Sequence, residues 1–580
     1  MKKILITFLL SIIFINLSYA QNFGWAKAVG GSDVDGGSSI VADASGNTYT
    51  AGYFTGTVDF DPGSTTFNMT SVGTWDVFIQ KLDPAGDFLW AKSIKGDGYH
   101  ENIILDIDAS GNVYTTGTFF NTVDFDPGIN TFNLTAIDGS DVFIQKLDAS
   151  GNFIWAKSFG GTSYDEPYSI NIDKTGNIYT VGTFHGTVDF DPGSATYNVT
   201  SSAYYGVFLQ KLNAAGNFVW VKDWGGASPI IISSVTTGFS GNVYMTGYFG
   251  NAPQDFDPNG GMYNLTCEGN YDAFILKLNA SGSFIWAKSI GGESTTIGGT
   301  YYDSYTKGYS ITTDTYDNVY TTGYFTGQLV DFNTGSGTSN IAADHKDIYV
   351  HKLDSLGNFI WAKTMGGAEY EIGKSITTDA MGNAYITGSY SGTADFDPGS
   401  TTHNLTAKGA LDIFIQKLDT LGNFVWVKSI GSFVNDDALS ITLDNAGNIY
   451  TTGYFNFSAD FNPGSGTYSL TSAGQSDAFI VKLTKNGTGI NTLSNKNIKM
   501  KIYPNPNRGS FNMEISSKDN KSKQYKLEIY SMLGVLVHSE TIQVASVTYK
   551  QMHFENLNTG VYFIHLKGES DVLNGRFIVE

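Results

Sequence analysis

Residues 91–155 read AKSIKGDGYHENIILDIDASGNVYTTGTFFNTVDFDPGINTFNLTAIDGSDVFIQKLDASGNFIW, and this 65-residue unit recurs along most of the chain. Each copy ends in a tryptophan that opens WAK or WVK. Successive tryptophans lie 65, 65, 65, 66, 75 and 65 residues apart: Trp25, Trp90, Trp155, Trp220, Trp286, Trp361 and Trp426. A fixed period of this length indicates a solenoid, a propeller or another array of one repeated supersecondary unit.

Four runs within the unit have strand character, and we letter them a to d in chain order. They are IILDID (103–108), NVYTTGTF (112–119), DVFIQKLD (141–148) and NFIWAKS (152–158). All four are rich in β-branched and aromatic residues and are bounded by turn residues. The a–b and c–d joins are short and contain Gly and Asn, which predicts hairpins. The b–c join is much longer, about 22 residues, and contains VDFDPG and NLT.

Seven copies of four antiparallel strands predict blades arranged around an axis. A closed ring is expected, because an open row would leave exposed edge strands and two uncovered end blades. The chain ends agree, since NFGWAKAVG (22–30) is an isolated d strand and the last copy stops after strand c at DAFIVKLTKNG (477–487). The isolated strand is predicted to complete the last blade. The repeated Trp on strand d is predicted to fill the gap between blades; a platform for stacking sugars is its alternative role.

Composition and charge exclude some classes of partner. The 580-residue chain has 68 Gly, 34 Tyr and 39 Phe, which suits short strands joined by tight turns. Residues 21–484 contain 20 Lys, no Arg and 47 acidic residues. A negative field without arginine repels phosphate, so no nucleic-acid partner is expected. The single Cys267 allows no intramolecular disulfide.

The two termini differ from the repeats. Residues 1–20, MKKILITFLLSIIFINLSYA, have the basic start, apolar run and small-residue end of a secretory signal peptide, with a membrane anchor as the alternative. The mature chain is then expected to have no transmembrane segment. Repeats occupy 21–484, a polar linker follows at 485–498, and 499–580 contain about seven short strands that predict a small immunoglobulin-like β-sandwich.

Strand parity puts the b–c loops and the d-to-a connections on one face, where binding residues are most often found. The b–c loop carries DFDPG in most copies. Paired aspartates at i and i+2 predict either a structural turn or a calcium site. The candidate calcium ligands are Asp59, Asp61, Asp124, Asp126, Asp189, Asp191, Asp395 and Asp397, with Asp255, Asp257, Asp331 and Asp460 at equivalent positions.

A second acidic set occurs ten residues after the repeated Trp, in the d-to-a connections. Its members, predicted to form a collar at one mouth of the central channel, are Asp35, His100, Asp165, Glu371 and Asp436. We expect either a solvated rim or a surface that captures a cation or cationic ligand.

The fourth and fifth copies depart most from the repeat. The fifth interval adds ten residues within 291–308, where Tyr301, Tyr302 and Tyr305 predict either a sugar-stacking surface or a loop without a ligand. HENII (100–104) lacks the second His of a zinc helix, and no GxSxG motif occurs. The chain is therefore not expected to be an enzyme.

The repeats resemble the beta-propeller repeat family of secreted bacterial proteins. GNIYTTGYF (447–455) and SDAFIVKL (476–483) carry the resemblance, which covers about residues 25–484. It implies a seven-bladed propeller and no particular activity.

The C-terminal segment resembles the C-terminal sorting domain of the type IX secretion system of Bacteroidota. The matching stretches are YPNPNRGSF (503–511), IYSMLGVLV (529–537), LNTGVYFIHL (557–566) and GRFIVE (575–580). The resemblance implies transport across the outer membrane, removal of this domain and, often, attachment to surface lipopolysaccharide. The motif residues are Tyr503, Pro504, Asn505, Pro506, Gly509, Gly560 and Arg576.

Together these patterns predict an all-β protein with a seven-bladed β-propeller followed by a small immunoglobulin-like sandwich. The predicted function is a binding or scaffold protein, secreted or attached to the outer cell surface, with a propeller enzyme or lectin acting on extracellular glycans as the alternative. The expected partners are the type IX secretion machinery and an extracellular glycan or protein. Calcium is the one candidate cofactor.

Overall fold

The computed structural model describes residues 21–96, 103–202, 204–225, 229–250, 253–485, 498–503, 510–517, 522–531, 536–554, 557, 560–568 and 572–579. The predicted signal peptide and His100 lie outside these residues. The chain divides into two compact units, Met1–Lys485 and Asn486–Glu580. Every regular element in the described ranges is a β-strand, and none of these ranges holds a helix long and apolar enough to cross a membrane.

The first unit contains seven antiparallel sheets with the same strand order, a-b-c-d, and we number them 1 to 7. In that order the strands are Gly36–Ala42, Thr48–Phe54, Asp76–Leu82 and Phe88–Ile94 in sheet 1; Ile104–Ile107, Val113–Phe119, Asp141–Leu147 and Phe153–Phe159 in sheet 2; Glu166–Ile172, Ile178–Phe184, Gly206–Leu212 and Phe218–Trp224 in sheet 3; Ile230–Thr237, Val243–Phe249, Asp272–Leu278 and Phe284–Ile290 in sheet 4. They continue as Tyr305–Thr313, Val319–Asp331, Asn340–Leu353 and Phe359–Gly367 in sheet 5; Glu371–Thr378, Ala384–Tyr390, Asp412–Leu418 and Phe424–Ile430 in sheet 6; Asp437–Leu443, Ile449–Asp460, Ser469–Lys485 and Gln21–Val29 in sheet 7.

Sheet 7 is built from both ends of the repeat region. Gln21–Val29 pairs antiparallel with Ser469–Lys485, from Gln21 opposite Lys485 to Val29 opposite Ala478. Each strand a contacts strand a of the next sheet, and strand a of sheet 7 contacts strand a of sheet 1. A serine hydroxyl accepts a backbone N–H at several of these contacts, including Ile40 N to Ser440 Oγ at 3.2 Å. The series of contacts between a strands, followed from sheet 1 to sheet 7, therefore ends at the strand where it began.

The long b–c join, expected as a loop, contains a short β-hairpin. Its strands are Thr57–Asp59 with Asn68–Thr70, Thr122–Asp124 with Asn133–Thr135, Thr187–Asp189 with Asn198–Thr200, Gln254–Asp255 with Asn264–Leu265, and Thr393–Asp395 with Asn404–Thr406; in sheets 5 and 7 it continues strands b and c. The hairpin also pairs with strand d of the preceding sheet, as Gly366 and Gly367 do with Asp395 and Ala394. It forms because strand d otherwise ends with unpaired backbone groups.

Contacts between sheets are dominated by aromatic side chains near the short a–b and c–d turns. Trp361 is 8% exposed and lies 6.2 Å from the Tyr320 ring. Its Nε1 donates to the Thr420 carbonyl of sheet 6 at 3.1 Å, and Lys352 Nζ donates to the same oxygen at 3.2 Å. The repeated Trp thus packs between neighbouring sheets.

The described residues of the second unit form seven strands in two antiparallel sheets. They are Ile498–Tyr503, Ser510–Ser517, Lys523–Ser531, Leu536–Val544, Val547–His553, Gly560–Lys567 and Val572–Val579. The first, second and fifth form one sheet; the fourth, third, sixth and seventh form the other. Both sheets contribute to one core, in which Met513 and Ile515 of the first join Leu527 and Ile564 of the second.

Candidate functional site

The b–c hairpins and the d-to-a connections lie at the same end of the sheets, which we call the long-loop end. The candidate functional residues occur there. The opposite end, with the a–b and c–d turns, we call the short-turn end. The short-turn end is nearly uniform from sheet to sheet. At the long-loop end the side chains vary, and three groups of residues occur there: the hairpin aspartates, a set of buried acids, and a group of tyrosines and lysines.

The hairpin aspartates hold their own turns. Asp59 Oδ1 accepts backbone N–H groups from Asp61 at 3.0 Å and Phe67 at 2.8 Å. Asp61 Oδ1 accepts the Gly63 N–H at 2.8 Å, and the Thr65 hydroxyl donates to its other oxygen. The same bonds to the first aspartate recur at Asp124, Asp189 and Asp395, and the same glycine N–H bond recurs at Asp126, Asp191 and Asp397.

The phenylalanine between the two aspartates anchors the hairpin to the main sheet. Phe60 is fully buried, and Gln80 Nε2 of strand c donates to its carbonyl at 2.6 Å. Among the described residues, no three His, Cys, Asp or Glu come together as a metal site. The geometry supports the structural turn, and calcium binding stays a prediction.

The predicted collar is buried, so the expectation of a solvated rim is wrong for its described members. Asp35 is 1% exposed, and Asp165, Glu371 and Asp436 are 0% exposed. Asp35 accepts backbone N–H groups from Gly31 at 2.6 Å and Thr55 at 2.9 Å. Asp165 and Asp436 accept the corresponding pairs of N–H groups, and Glu371 accepts that of Gly367. Each of these side chains turns inward and accepts a backbone N–H group at its own d-to-a connection. The carboxyl groups are therefore buried and hydrogen-bonded.

Each described collar acid is coupled to a second acid in strand c of the preceding sheet. The pairs are Asp35 with Asp477, Asp165 with Asp141, Glu371 with Asp347, and Asp436 with Asp412. A Cβ on the glycine after strand d would overlap the strand c acid, as at Gly160 and Asp141. That glycine leaves room for the carboxyl group beside strand d.

Burial is the main cause of raised pKa values in these pairs, and the neighbouring acid adds to it. The pKa of Asp35 is raised to about 6, that of Asp165 to about 7 and that of Glu371 to about 8. The junction between sheets 3 and 4 has Gly206 and Ile230 in place of the two acids. Ile230 is 3% exposed and packs with Val207 and Trp224, so the pair is replaced by an apolar contact.

The sequence pointed to Tyr305 of the third group but missed its other members, because they are far apart along the chain. Strand a of sheet 5 presents Lys307, and its Nζ lies 4.1 Å from the ring centroid of Tyr248 and 4.7 Å from that of Tyr271. Lys346 Nζ lies 4.8 Å from the centroid of Tyr324. Tyr324 is the cross-strand partner of Lys307, so it joins the two lysines. We call Tyr248, Tyr271, Tyr305, Lys307, Tyr309, Tyr324, Lys346 and Tyr370 the Tyr–Lys cluster.

One sequence signal could have found it. The position of Lys307 is Gly36, Glu166, Ile231, Ile372 and Asp437 in other described sheets, so it does not follow the repeat. The inserted residues of sheet 5 border the cluster. They include a hairpin, Thr295–Ile297 with Thr300–Tyr302, and Tyr301 is 61% exposed. Asp303 accepts a hydrogen bond from Asn270 Nδ2 at 2.8 Å, and the Tyr305 ring lies 6.0 Å from that of Tyr271.

The predicted sorting residues lie in the second unit. Tyr503 ends its first strand, Gly560 begins its sixth, and Arg576 pairs with Phe563 in the four-stranded sheet. Pro504, Asn505, Pro506 and Gly509 fall outside the described residues.

Two family models match the chain. Residues 154–183 match a beta-propeller repeat, and residues 501–580 match a secretion system C-terminal sorting domain. The first match covers strand d of sheet 2 through strand b of sheet 3. The second covers nearly all of the second unit.

The curated relatives that the chain matches are distant. An uncharacterized WD repeat-containing protein of Acanthamoeba polyphaga mimivirus is 24% identical over 503 residues, covering 74% of this chain and 36% of the viral protein. Regulatory protein FlaEY of Caulobacter vibrioides is 24% identical over 200 residues, covering 34% of this chain and 20% of its own length. The chain thus spans about a third and a fifth of these two relatives. An ulvan lyase structure aligns over 74% of this chain and 93% of its own at 11% identity, but its TM-score of 0.34 supports no argument.

The sorting domain determines where the protein goes. Such a domain directs export through the type IX secretion system, and its seven strands are consistent with one folded module at the C-terminus. The chain therefore contains a beta-propeller repeat and a C-terminal type IX sorting domain, and the sorting domain indicates a protein that is secreted or attached to the outer cell surface.

Proposed function

We propose that residues 21–485 form one closed seven-bladed β-propeller that serves as a non-catalytic binding module at the outer cell surface. Closure is supported by the pairing of Gln21–Val29 with Ser469–Lys485 and by the return of the strand a contacts from sheet 7 to sheet 1. For the second unit we propose an immunoglobulin-like sandwich, supported by two antiparallel sheets around one core.

The binding face is the long-loop end of sheets 3 to 5. The observation that carries this proposal is that departures from the repeat converge there in space. The Tyr–Lys cluster, the inserted hairpin and the apolar replacement of one acid pair all occur within these sheets or at their junctions. A ring held by repeated residues has no structural need for such a concentration of unique side chains. Loops and strand ends on a rigid scaffold are where binding residues are usually found.

An array of neutral glycans, acidic glycans and outer-surface proteins tests this function with the purified full chain. We expect ligand capture that Tyr248→Ala reduces at least tenfold, because the substitution removes a ring at the centre of the cluster. The matched control is Phe239→Ala, which removes an exposed ring at the short-turn end. Equal effects of the two substitutions, or no capture of any class of ligand, would contradict a binding face at this end.

The second candidate is an enzyme that acts on extracellular glycans. One observation favours it: Glu371, with its pKa raised to about 8 by burial, would hold a proton at neutral pH, as a general acid must. Glu371 is 0% exposed and bonded to Gly367 N–H, which favours a structural role. Incubating every captured glycan with the full chain separates the two functions, since release of shorter products would establish an enzyme.

A further inference from the structure

Among the described residues, the two ammonium groups of the Tyr–Lys cluster contact tyrosine rings but no carboxylate. Within the described part of the chain, no carboxylate lies within 4.0 Å of Nζ of Lys307 or Lys346. Lys374, in the neighbouring strand a of sheet 6, shows the alternative: its Nζ lies 3.6 Å from Asp437 Oδ2. Strand c lysines such as Lys81 instead donate to a carbonyl of the next sheet, here Ala149 at 3.0 Å.

The two lysines also oppose each other. Lys307 is half-buried among tyrosine rings, and the pKa of its ammonium group is lowered by burial and further by the charge of Lys346. Residues 21–484 contain 47 acidic side chains and only 20 lysines, so an uncompensated pair of cations is not a product of composition. Two like charges held together cost free energy in the free protein, and an anion placed between them would recover it.

The surroundings supply contacts for more than an anion. Tyr370 is 51% exposed, and its centroid lies 5.5 Å from Lys346 Nζ. Tyr301, in the inserted hairpin that borders the cluster, is 61% exposed. Tyrosine presents an apolar ring face and a hydroxyl at its edge. An array of such rings fits the C–H faces and hydroxyl groups of sugar residues.

We infer that the Tyr–Lys cluster binds an acidic saccharide, with a carboxylate or sulfate group between Lys307 and Lys346 and adjoining sugar rings against the tyrosines. This inference rests on the proposed binding function and names its ligand class. Carboxylated and sulfated sugars share the chemistry that the two ammonium groups recognise, and the experiment distinguishes them.

Calorimetry with the full chain tests the inference with three probes of equal length: an oligogalacturonate, a sulfated heparin oligosaccharide and neutral dextran. We expect one or both acidic probes to bind and dextran to bind at least tenfold more weakly. The double substitution Lys307→Gln with Lys346→Gln should reduce acidic-probe affinity at least tenfold. The double Arg variant should retain it, because the charge is kept. Lys174→Gln is the control, since Lys174 lies at the short-turn end over the Phe239 ring.

Affinity should also fall as salt rises, because screening weakens charge pairing. Unchanged affinity in the double Gln variant, with an unchanged melting temperature, would overturn the inference. Polyglutamate binding as tightly as the acidic sugars would assign the cluster to acidic peptides and overturn it as well. Capture of a neutral glycan that Tyr248→Ala abolishes and the double Gln variant leaves intact would sink this inference while the proposed binding function stands.

Discussion

The short-turn and long-loop ends of the sheets follow different rules. At the short-turn end, most sheets use the same kinds of bond: an aspartate closes the a–b turn, except in sheet 4, where Gly238 stands at that position, and lysine or tryptophan side chains of several sheets reach a carbonyl of the next sheet. At the long-loop end, one junction has an acid pair, another an apolar contact and a third the Tyr–Lys cluster. The comparison teaches that repeated side chains join neighbouring sheets at the short-turn end, whereas the side chains at the long-loop end differ from one junction to the next.

The largest effect on stability is expected from removing a repeated tryptophan at the short-turn end. Trp361→Ala should lower the free energy of unfolding by about 3–5 kcal/mol, because it removes a buried indole and its hydrogen bond to Thr420. Urea unfolding of the full chain measures this. Ile360→Ala, which truncates a 43% exposed neighbour on the same strand, should cost less than about 1 kcal/mol. Equal costs for the two variants would show that the repeated Trp does not hold the sheets together.

A smaller effect, visible only as pH changes, is expected at the long-loop end. The folded pKa of Glu371 is raised from 4.5 to about 8, so the folded state keeps its proton to higher pH than the unfolded state does. Its contribution to stability is therefore greatest below pH 4.5 and is lost as pH rises to about 8. Glu371→Gln should remove this loss, because the amide does not titrate between pH 4.5 and pH 8.5.

Melting temperatures of the two proteins between pH 5 and pH 8.5 check the prediction. Glu293→Gln is the control, because Glu293 is an exposed glutamate elsewhere in the same unit. The wild-type and Glu371→Gln curves should diverge with rising pH, whereas the control should parallel the wild type. Parallel curves for all three proteins would mean that the carboxyl group is not buried in its protonated form.

The smallest effect is expected at a single b–c hairpin. Asp59→Ala removes the acceptor for two backbone N–H groups and should cost about 1–2 kcal/mol, whereas Asp59→Asn keeps an acceptor oxygen and should cost less. Melting of the full chain in millimolar calcium separates the two roles of the motif, because a purely structural turn would leave the melting temperature unchanged. A calcium-dependent rise that Asp59→Asn abolishes would instead establish the metal site.

The sequence predicted the features that depend on the 65-residue period and on the apolar pattern of the strands. Strands a to d recur because their apolar residues must cover neighbouring sheets, and the unpaired strand at Gln21–Val29 has only one open edge of matching pattern to join. The same pattern could not reveal that Asp35 is buried, since its donors, Gly31 and Thr55, are brought to it only by the folded connection.

The repeat pattern could not predict the Tyr–Lys cluster for a different reason. Tyr248, Tyr271 and Lys307 each suit a strand end when read alone, because aromatic residues are common there. Their contact arises from the packing of sheet 5 against sheet 4. Only a position-by-position comparison of the seven copies isolates Lys307, and even that comparison does not identify its neighbours.

The pairing of Gln21–Val29 with Ser469–Lys485 also means that one sheet cannot be completed until the end of the repeat region has been synthesised. Asn22 and Thr484, joined by a hydrogen bond, are 462 positions apart. Ribosomes add about 5–20 residues per second, so the first strand waits roughly 20–90 s for its partner to be synthesised. During that interval an edge of β-strand is available for wrong pairing. A chain built this way depends on being kept from misassembly until its last repeat has emerged.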